Sequence, residues 1–495
     1  MRSLEETENS SNSETLTLWE GKKKMGEENE KNSLIECRMR YSLNDEKGEE
    51  IASGEVRVQL GEENISIHPK SGKALSFSYR DIVDLPASDY KIHLTLTSKE
   101  KITLSNLGYH YEDFLRELSK QRNEMLLKDL LMHESLKKSL EKAKVEADFV
   151  YFDENGKEME KGRCQPRLYE TALVIIPNLG ELKRIPYSDL LEIQDEDYHL
   201  TLLTEFGEKI VFSKMGGQFD PFKKALSDSI NMLLVKVQSS LKELLPKADP
   251  SKIIRASRLM KEGRAAKRSD LESISPELWR ELEKKLEIAG IQEEYNFLES
   301  LAQKEKMAIG LKRGLLGDLT GEYIWFLIPI YSTNPEEPGN AVIMEATSLR
   351  REEKGEEQSQ EGIAVEVPPE TSLEGEGKAT YLFRIVSRKD YPNFKNIEDL
   401  HRETDHFLKT FNRCMLSVNF RREPIYLPDK QLEKPQYQKY RFAIQKIPAL
   451  QTLRTLFIGR VLHKTFEQWK EDVMDLLKFN VSIEGDEQRW KKGGV

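Results

Sequence analysis

Residues 41–119 align without a gap on residues 149–227, at a constant offset of 108 positions. About 23 of roughly 79 aligned places are identical. The identities include Asp45/Asp153, Gly48/Gly156, Gly54/Gly162, Pro69/Pro177, Gly72/Gly180, Tyr79/Tyr187, Asp81/Asp189, Tyr90/Tyr198, Glu100/Glu208, Lys101/Lys209, Gly108/Gly216 and Phe114/Phe222. Turn glycines and a proline thus keep register with aromatic and acidic positions. Two segments that share their turns in this way must share one fold.

Each copy reads as a run of short strands followed by one helix. In the first, Ile35 to Tyr41 alternates apolar and polar residues, and a turn follows at Asn44–Gly48. Val56–Leu60, Ile65–His68, Ala74–Tyr79, Lys91–Leu96 and Lys101–Leu104 continue the pattern, the last two joined by a turn at Ser98–Glu100. Alternation at period two between regularly spaced turns marks an antiparallel meander. Beyond Gly108 the period changes: Phe114, Leu118, Leu126, Leu127, Leu130 and Leu131 recur at helical spacing. The second copy has strands from Ala147 to Phe212, then Phe219, Phe222, Leu226, Ile230, Leu233, Leu234, Val237 and Leu241 on a helix.

Six or seven antiparallel strands closed by a carboxy-terminal helix resemble the pleckstrin-homology (PH)-like fold, over about 36–130 and 145–240. The similarity is carried by element order and by the runs YRDIVDL, DYKIHLTL, EKITLS and FLREL. Their counterparts are YSDLLEI, DYHLTLL, EKIVFS and FKKAL. The resemblance implies a small barrel used to bind phosphoinositides or proteins. Lipid-binding members use Lys and Arg between the first two strands. Here Asn44–Glu50 and Asp153–Glu158 are both net acidic and would repel phosphate. Protein binding is the expected use.

The sequence divides into a polar 1–33 expected to be disordered, PH-like domains at 34–143 and 144–248, and a helical connector at 249–315. An α+β domain follows at 316–480, with a Glu-, Gly- and Ser-rich insertion at 350–378 expected to be a mobile loop, and then a tail at 481–495. The expected class is therefore α+β. In the connector, Ser275–Pro276 opens a helix bearing Leu278, Leu282, Leu286 and Ile288, and helix is expected to run on from Glu293 to Met307. In the last domain, strands are expected at Tyr323–Tyr331, Ala341–Ala346, Thr380–Val386, Leu416–Phe420 and Arg441–Gln445. Helices are expected at Leu400–Met415 and Leu450–Leu477. The helices closing the barrels, about 25–30 residues each, exceed what one small barrel covers. Leu136, Leu140, Leu241 and Leu244 should therefore pack between domains or in an oligomer.

The chain of 495 residues has 33% charged residues and a net charge of −10, which argues against a nucleic-acid coat. Cys37, Cys164 and Cys414 are sparse and odd in number, as in a reducing cytosol. No apolar stretch resembles a signal peptide, and the most apolar run, Tyr323–Tyr331, is too short to span a bilayer. A cytoplasmic protein, at most peripheral to a membrane, is expected.

Catalytic templates are missing: there is no phosphate loop ending in Gly-Lys-Ser/Thr, GxSxG elbow or HExxH pair. His401 and Asp405 stand four apart, a chelating spacing, yet Arg402 sits between them and a solvated first helical turn explains them better. His93 and His110 face Thr201 and Gln218 in the other copy, so they form no shared active site. The paired Asp81/Asp189 and Asp89/Asp197 adjoin strand connections, where aspartate builds turns. No catalytic residue, metal ligand or cofactor is assigned.

One basic stretch remains. Lys252, Arg255, Arg258, Lys261 and Arg264 lie on one arc of an expected 251–264 helix, extended by Lys267 and Arg268, with Ile253, Ala256, Leu259 and Met260 largely opposite. These seven residues are the candidate anion or partner contacts. They could dock on acidic neighbouring domains or touch an anionic membrane, and docking is preferred because Gly263 interrupts the helix. The expected function is that of a non-enzymatic interaction protein with a protein partner. Weak membrane contact is the first alternative, and an enzyme site near Arg384, Lys389, His401 and Arg421 the second.

Overall fold

The computed structural model describes residues 35–132, 138–312, 322–331, 339–348, 378–387, 390 and 396–478. The expected tails at 1–33 and 481–495, almost all of the insertion at 350–378, Leu136 and Lys389 lie outside the described residues. The chain is α+β and separates into two compact units. One comprises the residues up to Leu126 plus Asn178–Glu181; the other comprises Leu127–Pro177 and everything from Leu182.

The first unit holds strands β1 (Ile35–Asn44), β2 (Glu50–Leu60), β3 (Asn64–Pro69), β4 (Leu75–Ser78), β5 (Ile82–Asp84), β6 (Ala87–Ser88), β7 (Lys91–Leu96) and β8 (Lys101–Ser105). They form a curled antiparallel sheet in the order β4-β3-β2-β1-β8-β7-β5, with β6 on β7. Helix α1 (Tyr111–Leu130) follows. Alternate residues of the strands, among them Val58, Leu60, Ile65, Ile67, Ile92, Leu94 and Leu104, meet Phe114 and Leu118 of α1 in one core. Arg122 of α1, almost fully buried, donates to the Ile82 and Val83 carbonyls and pairs with Glu181 at 2.7 Å. Helix α1 is shorter than its apolar positions suggested, since it ends at Leu130.

In the second unit, β9 (Ala143–Lys144) to β16 repeat this plan: β10 (Ala147–Phe152), β11 (Glu158–Leu168), β12 (Ala172–Pro177), β13 (Lys183–Pro186), β14 (Leu190–Glu196), β15 (His199–Thr204) and β16 (Lys209–Ser213). The strand order is β13-β12-β11-β10-β16-β15-β14, and α2 (Phe219–Leu244) closes the barrel.

The duplication is visible in backbone detail. Left-handed φ angles occur at Gly48/Gly156, Gly72/Gly180, Asp89/Asp197, Tyr90/Tyr198, Lys99/Gly207 and Gly108/Gly216, each pair 108 apart. The β-bulge at Leu43/Asn44 recurs at Tyr151/Phe152. Asp-Tyr is an unusual occupant of a two-residue hairpin turn that needs two positive φ angles, because a bulky side chain is strained there. The tyrosine ring offsets part of that strain. Tyr90 meets Tyr111 edge-on at 5.4 Å and Tyr198 meets Phe219 at 5.7 Å, tying each hairpin to the first residue of its helix. The buried Tyr79 and Tyr187 hydroxyls donate to the Gly61 and Tyr169 carbonyls, each at 2.8 Å.

The connector contains α3 (Pro250–Leu259), β17 (Ala266–Lys267), α4 (Arg268–Ile274), α5 (Pro276–Ala289) and α6 (Gln292–Leu301). The last domain adds β18 (Ala308–Lys312), β19 (Glu322–Ile330), β20 (Asn340–Ser348), β21 (Lys378–Arg384), α7 (Ile397–Ser417), α8 (Glu423–Tyr426), α9 (Asp429–Leu432), α10 (Gln438–Lys446), α11 (Pro448–Leu456), β22 (Phe457–Leu462) and α12 (Phe466–Lys478). Strands β17 to β22 form one antiparallel meander in chain order. Helices cover both faces: Trp325, Leu327, Ile343, Tyr381 and Phe383 pack on Phe407 and Phe411 of α7. Phe326, Ile328, Val342 and Met344 pack on Trp279, Tyr295 and Trp469. Coverage on both sides is why Tyr323–Tyr331 reads as an unbroken apolar run rather than an alternation. The surplus length of α2 is used here, since Leu241 and Leu244 join the second of these cores.

Four expectations at the level of elements are corrected. Leu416 closes α7 instead of opening a strand, and Asn419 and Phe420 then turn the chain with φ of 47° and 60°. Arg441–Gln445 belongs to α10, because Tyr440 and Ala443, three apart, are its buried side. The long closing helix is broken by β22, whose Phe457 and Ile458 face opposite cores and whose strand pairs with β21 across a bulge at Ile458. The helix expected to reach Met307 ends at Leu301; a single turn at Lys304–Lys306 follows, and β18 opens at Ala308, with Gly310 under Trp325, where a Cβ would lie 2.3 Å from the indole.

Removing the tyrosine hydroxyl tests how far the two barrels are equivalent. Tyr79→Phe and Tyr187→Phe should each cost about 1 kcal/mol by leaving a buried carbonyl unpaired. The check is loss of hydrogen-exchange protection confined to the strands of the substituted barrel. Unchanged protection would show that the hydroxyl contributes nothing.

Candidate protein-binding groove

Strand β14 ends the sheet of the second barrel, pairing among the described residues with β15 alone. A bulge between Leu190 and Glu192 turns Leu191 outward, 63% exposed. Beside it runs α2, which presents Ile230, Leu233, Leu234 and Val237 to a cavity of about 220 Å³. The connector supplies the far wall: Arg258 of α3, then Lys261 and Glu262. A second cavity, about 310 Å³, also borders α2 and reaches Lys236, Leu311 and Lys312. The two share Leu233, Val237 and Glu262.

Glu262 is held in place by a tight turn. Its φ is 51°, that of Gly263 is 90°, and both are buried. A Cβ on Gly263 would meet Lys312 Cβ at 2.9 Å, the Leu311 carbonyl at 3.1 Å and the Phe420 ring at 3.1 Å. The Gly263 carbonyl accepts from the Trp325 indole at 3.2 Å, and Asn412 hydrogen-bonds both backbone groups of Ala265. The Glu262 carboxylate accepts from Ser188 at 3.2 Å.

Around it lies a network of partly buried charge. Arg184 donates to the Leu416 carbonyl at 2.6 Å and to Asn419 at 2.8 Å. Arg413 grips Glu208 with both bonds at 2.7 Å, lies over the Phe206 ring and stands 4.0 Å from Asp189. Arg264 bonds Glu205 at 2.8 Å and the Ser188 carbonyl at 3.1 Å. Burial pushes the Glu262 carboxyl up to about 7, against the pull of Arg184 and Lys312. Burial likewise raises Asp189 to about 6, opposed by Arg413 and Arg264. Asp81, its counterpart in the first barrel, instead caps a short turn by accepting from the Ser78 amide.

The basic residues named from the sequence meet different fates. Helix α3 stops at Leu259, so Lys261 and Arg264 leave the arc and enter the turn. Lys252 reaches Ser275 at 3.1 Å and Glu277 at 3.7 Å; Lys261 and Arg264 share Glu205. Lys267 pairs with Asp405, and Arg268 with Glu272 and Glu299 while lying over Trp279. Arg255 and Arg258 are exposed and form no ion pair among the described residues.

Other sequence candidates are occupied structurally. Asp405 is taken by Lys306 at 3.0 Å and by Lys267, while His401 turns to Tyr331 at 3.2 Å. Among the described residues no cluster of three or more His, Cys, Asp or Glu could hold a metal. His93 contacts Thr103 across the sheet, and His110 is exposed. Arg384 is buried at the end of β21, and the Arg421 amide caps the turn after α7. All three cysteines are buried, and burial raises each thiol, Cys164 to about 12. In both barrels the first loop spends its amides on its own aspartate: Asp45 accepts from Lys47 and Glu49, Asp153 from Asn155 and Lys157. Those amides are turned away from an incoming phosphate. Among the described residues no helix is long and apolar enough to cross a membrane. Sequence reading missed Leu191, whose exposure depends on a bulge, and Glu262, which stood unnoticed inside the basic stretch.

No protein-family model matches the chain, and no curated protein matches it. Among solved structures, one concerning the PH and C1 domains of the Vav1 exchange factor is similar at 18% identity and a TM-score of 0.17. That match covers 24% of this chain and 38% of the other, so the chain spans well under half of that structure. The Spt16D–Pob3N heterodimer is similar at 12% identity and a TM-score of 0.13, covering 35% of this chain and 84% of the other. The PH-like description rests on strand order and the closing helix.

Two outcomes follow from the Glu262 turn. Gly263→Ala should cost about 1–3 kcal/mol or more, from its left-handed φ and the clash with β18, measured by urea unfolding; a neutral effect would refute the tight turn. Glu262 and Asp189 hold their protons more tightly folded than unfolded, where carboxyls titrate near ~4. Their contribution to stability is therefore full below that value and is lost as pH rises through about 6 and 7. Glu262→Gln should flatten the decline in unfolding midpoint between acidic and neutral pH. An unaltered slope would place the titration elsewhere.

Proposed function

We propose that this is a non-enzymatic, cytoplasmic interaction protein, and that its second PH-like domain seats a segment of a partner protein in the groove between β14 and α2. The observation that carries this reading is the exposed, bulged edge strand beside an apolar cavity, with Leu191 standing 63% exposed at its lip. An edge strand leaves one row of backbone donors and acceptors unpaired, and an adjoining cavity can receive a side chain. A cavity of about 220 Å³ exceeds the roughly 150 Å³ that suffices to bind benzene. The acidic first loops, with their amides already engaged, favour protein over phosphoinositide as the ligand.

Affinity capture with the full chain tests this. Proteins retained by the wild type should fall about tenfold or more with Leu191→Asp, since a charge would enter the apolar lip. They should persist with Met159→Asp, which alters a comparably exposed site, at 55%, on β11. Equal capture by all three chains would refute the groove as the binding site.

A further inference from the structure

Helix α3 carries two rows on its exposed side, Ile254 with Arg258 and Arg255 with Leu259, each pair four residues apart. Ile254 is 42% exposed and Leu259 37%, while Ile253, Ala256 and Met260 are buried beneath. Each row thus sets an uncovered aliphatic side chain beside a guanidinium. Arg258 also lines the groove that holds Leu191 and Leu234, so the helix face and the groove are continuous.

The two arginines stand apart from their neighbours. The other five basic residues between Lys252 and Arg268 all have carboxylate partners, in a chain where acidic residues outnumber basic ones by 86 to 76. Arg255 and Arg258, three apart, have none among the described residues. On the strand side the rim is acidic: Glu192 is exposed and accepts from Gln194. The groove therefore has the Arg258 guanidinium on its α3 side and the Glu192 carboxylate on its β14 side, which gives it a direction across its width.

We propose that the groove takes an acidic peptide segment whose carboxylates pair with Arg255 and Arg258 while one bulky apolar side chain enters the cavity beside Leu191 and Leu234. This deepens the protein-binding reading and rests on it. A helical segment with carboxylates three or four residues apart matches the spacing of the two guanidiniums. An anionic membrane fits less well. Two cations gain little near such a surface, which holds a protein firmly only when many are gathered. The apolar contacts also sit in a concavity that a flat bilayer does not enter, and none of the exposed ones on α3 is aromatic.

The test is selection of a random peptide display library on the full chain, followed by direct binding of the selected peptides. The wild type should enrich Asp and Glu around one Leu, Ile, Met or Phe. Arg255→Glu with Arg258→Glu should lower affinity for those peptides roughly tenfold or more and enrich basic peptides instead. Leu191→Asp should lose both sets. Peptides that depend on Leu191 yet show no acidic preference would overturn the partner chemistry and leave the protein-binding reading standing. No Leu191-dependent peptide at all would overturn both. Sedimentation with phosphatidylserine vesicles, absent with phosphatidylcholine and lost in the double charge reversal, would replace the acidic peptide with a membrane if no acidic peptide is selected.

Discussion

The turn at Glu262–Gly263 is where the larger unit is joined. It lets α3 end against the second barrel and the chain enter the six-stranded sheet within a few residues. Only a glycine fits between Lys312, the Leu311 carbonyl and Phe420 at a φ of 90°. Its carbonyl is claimed by Trp325, and the residue before it sends a carboxylate under the barrel to Ser188. A buried carboxylate is tolerated when charges and donors surround it. Arg184 and Lys312 supply the charge, and Ser188 the hydrogen bond. The two cavities beside α2 share Glu262 as a wall, so the shape of the groove follows from this junction.

The duplication conserves backbone and varies surface. Bulges, left-handed positions and the tyrosine-to-carbonyl bonds recur 108 residues apart because a curled meander cannot close without them. Side chains directed away from the barrels are released from that requirement. Asp81 caps a turn, whereas Asp189 is buried within reach of Arg413 and Arg264. Val83 of the first copy corresponds to Leu191 of the second, the residue that marks the groove. One copy has thus acquired a surface that the shared fold does not dictate.

Ion pairs decide how the basic stretch can be used. Charges at 252, 261, 264, 267 and 268 hold the connector against its neighbours and are no longer available as an electrostatic footprint. Seven cations on one face would suit an anionic surface; two beside an apolar groove suit a smaller, directional ligand.

The strands and helices of both barrels were legible because period-two alternation and repeated turn residues are local signals reinforced by the second copy. The acidic first loops were legible for the same reason. The last domain is less legible. Tyr440 and Ala443 or Phe457 and Ile458 make short apolar patterns that fit helix or strand alike, and packing on both faces of the sheet removes the alternation that would separate them. Among the candidate contacts, sequence gave residue types and spacing along a helix. Only the tertiary structure showed which cations meet a carboxylate distant in the chain, that Leu191 is turned outward by a bulge, and that Glu262 lies buried between two cavities. Local order is written in neighbours along the chain, whereas burial and charge pairing depend on residues brought together by folding.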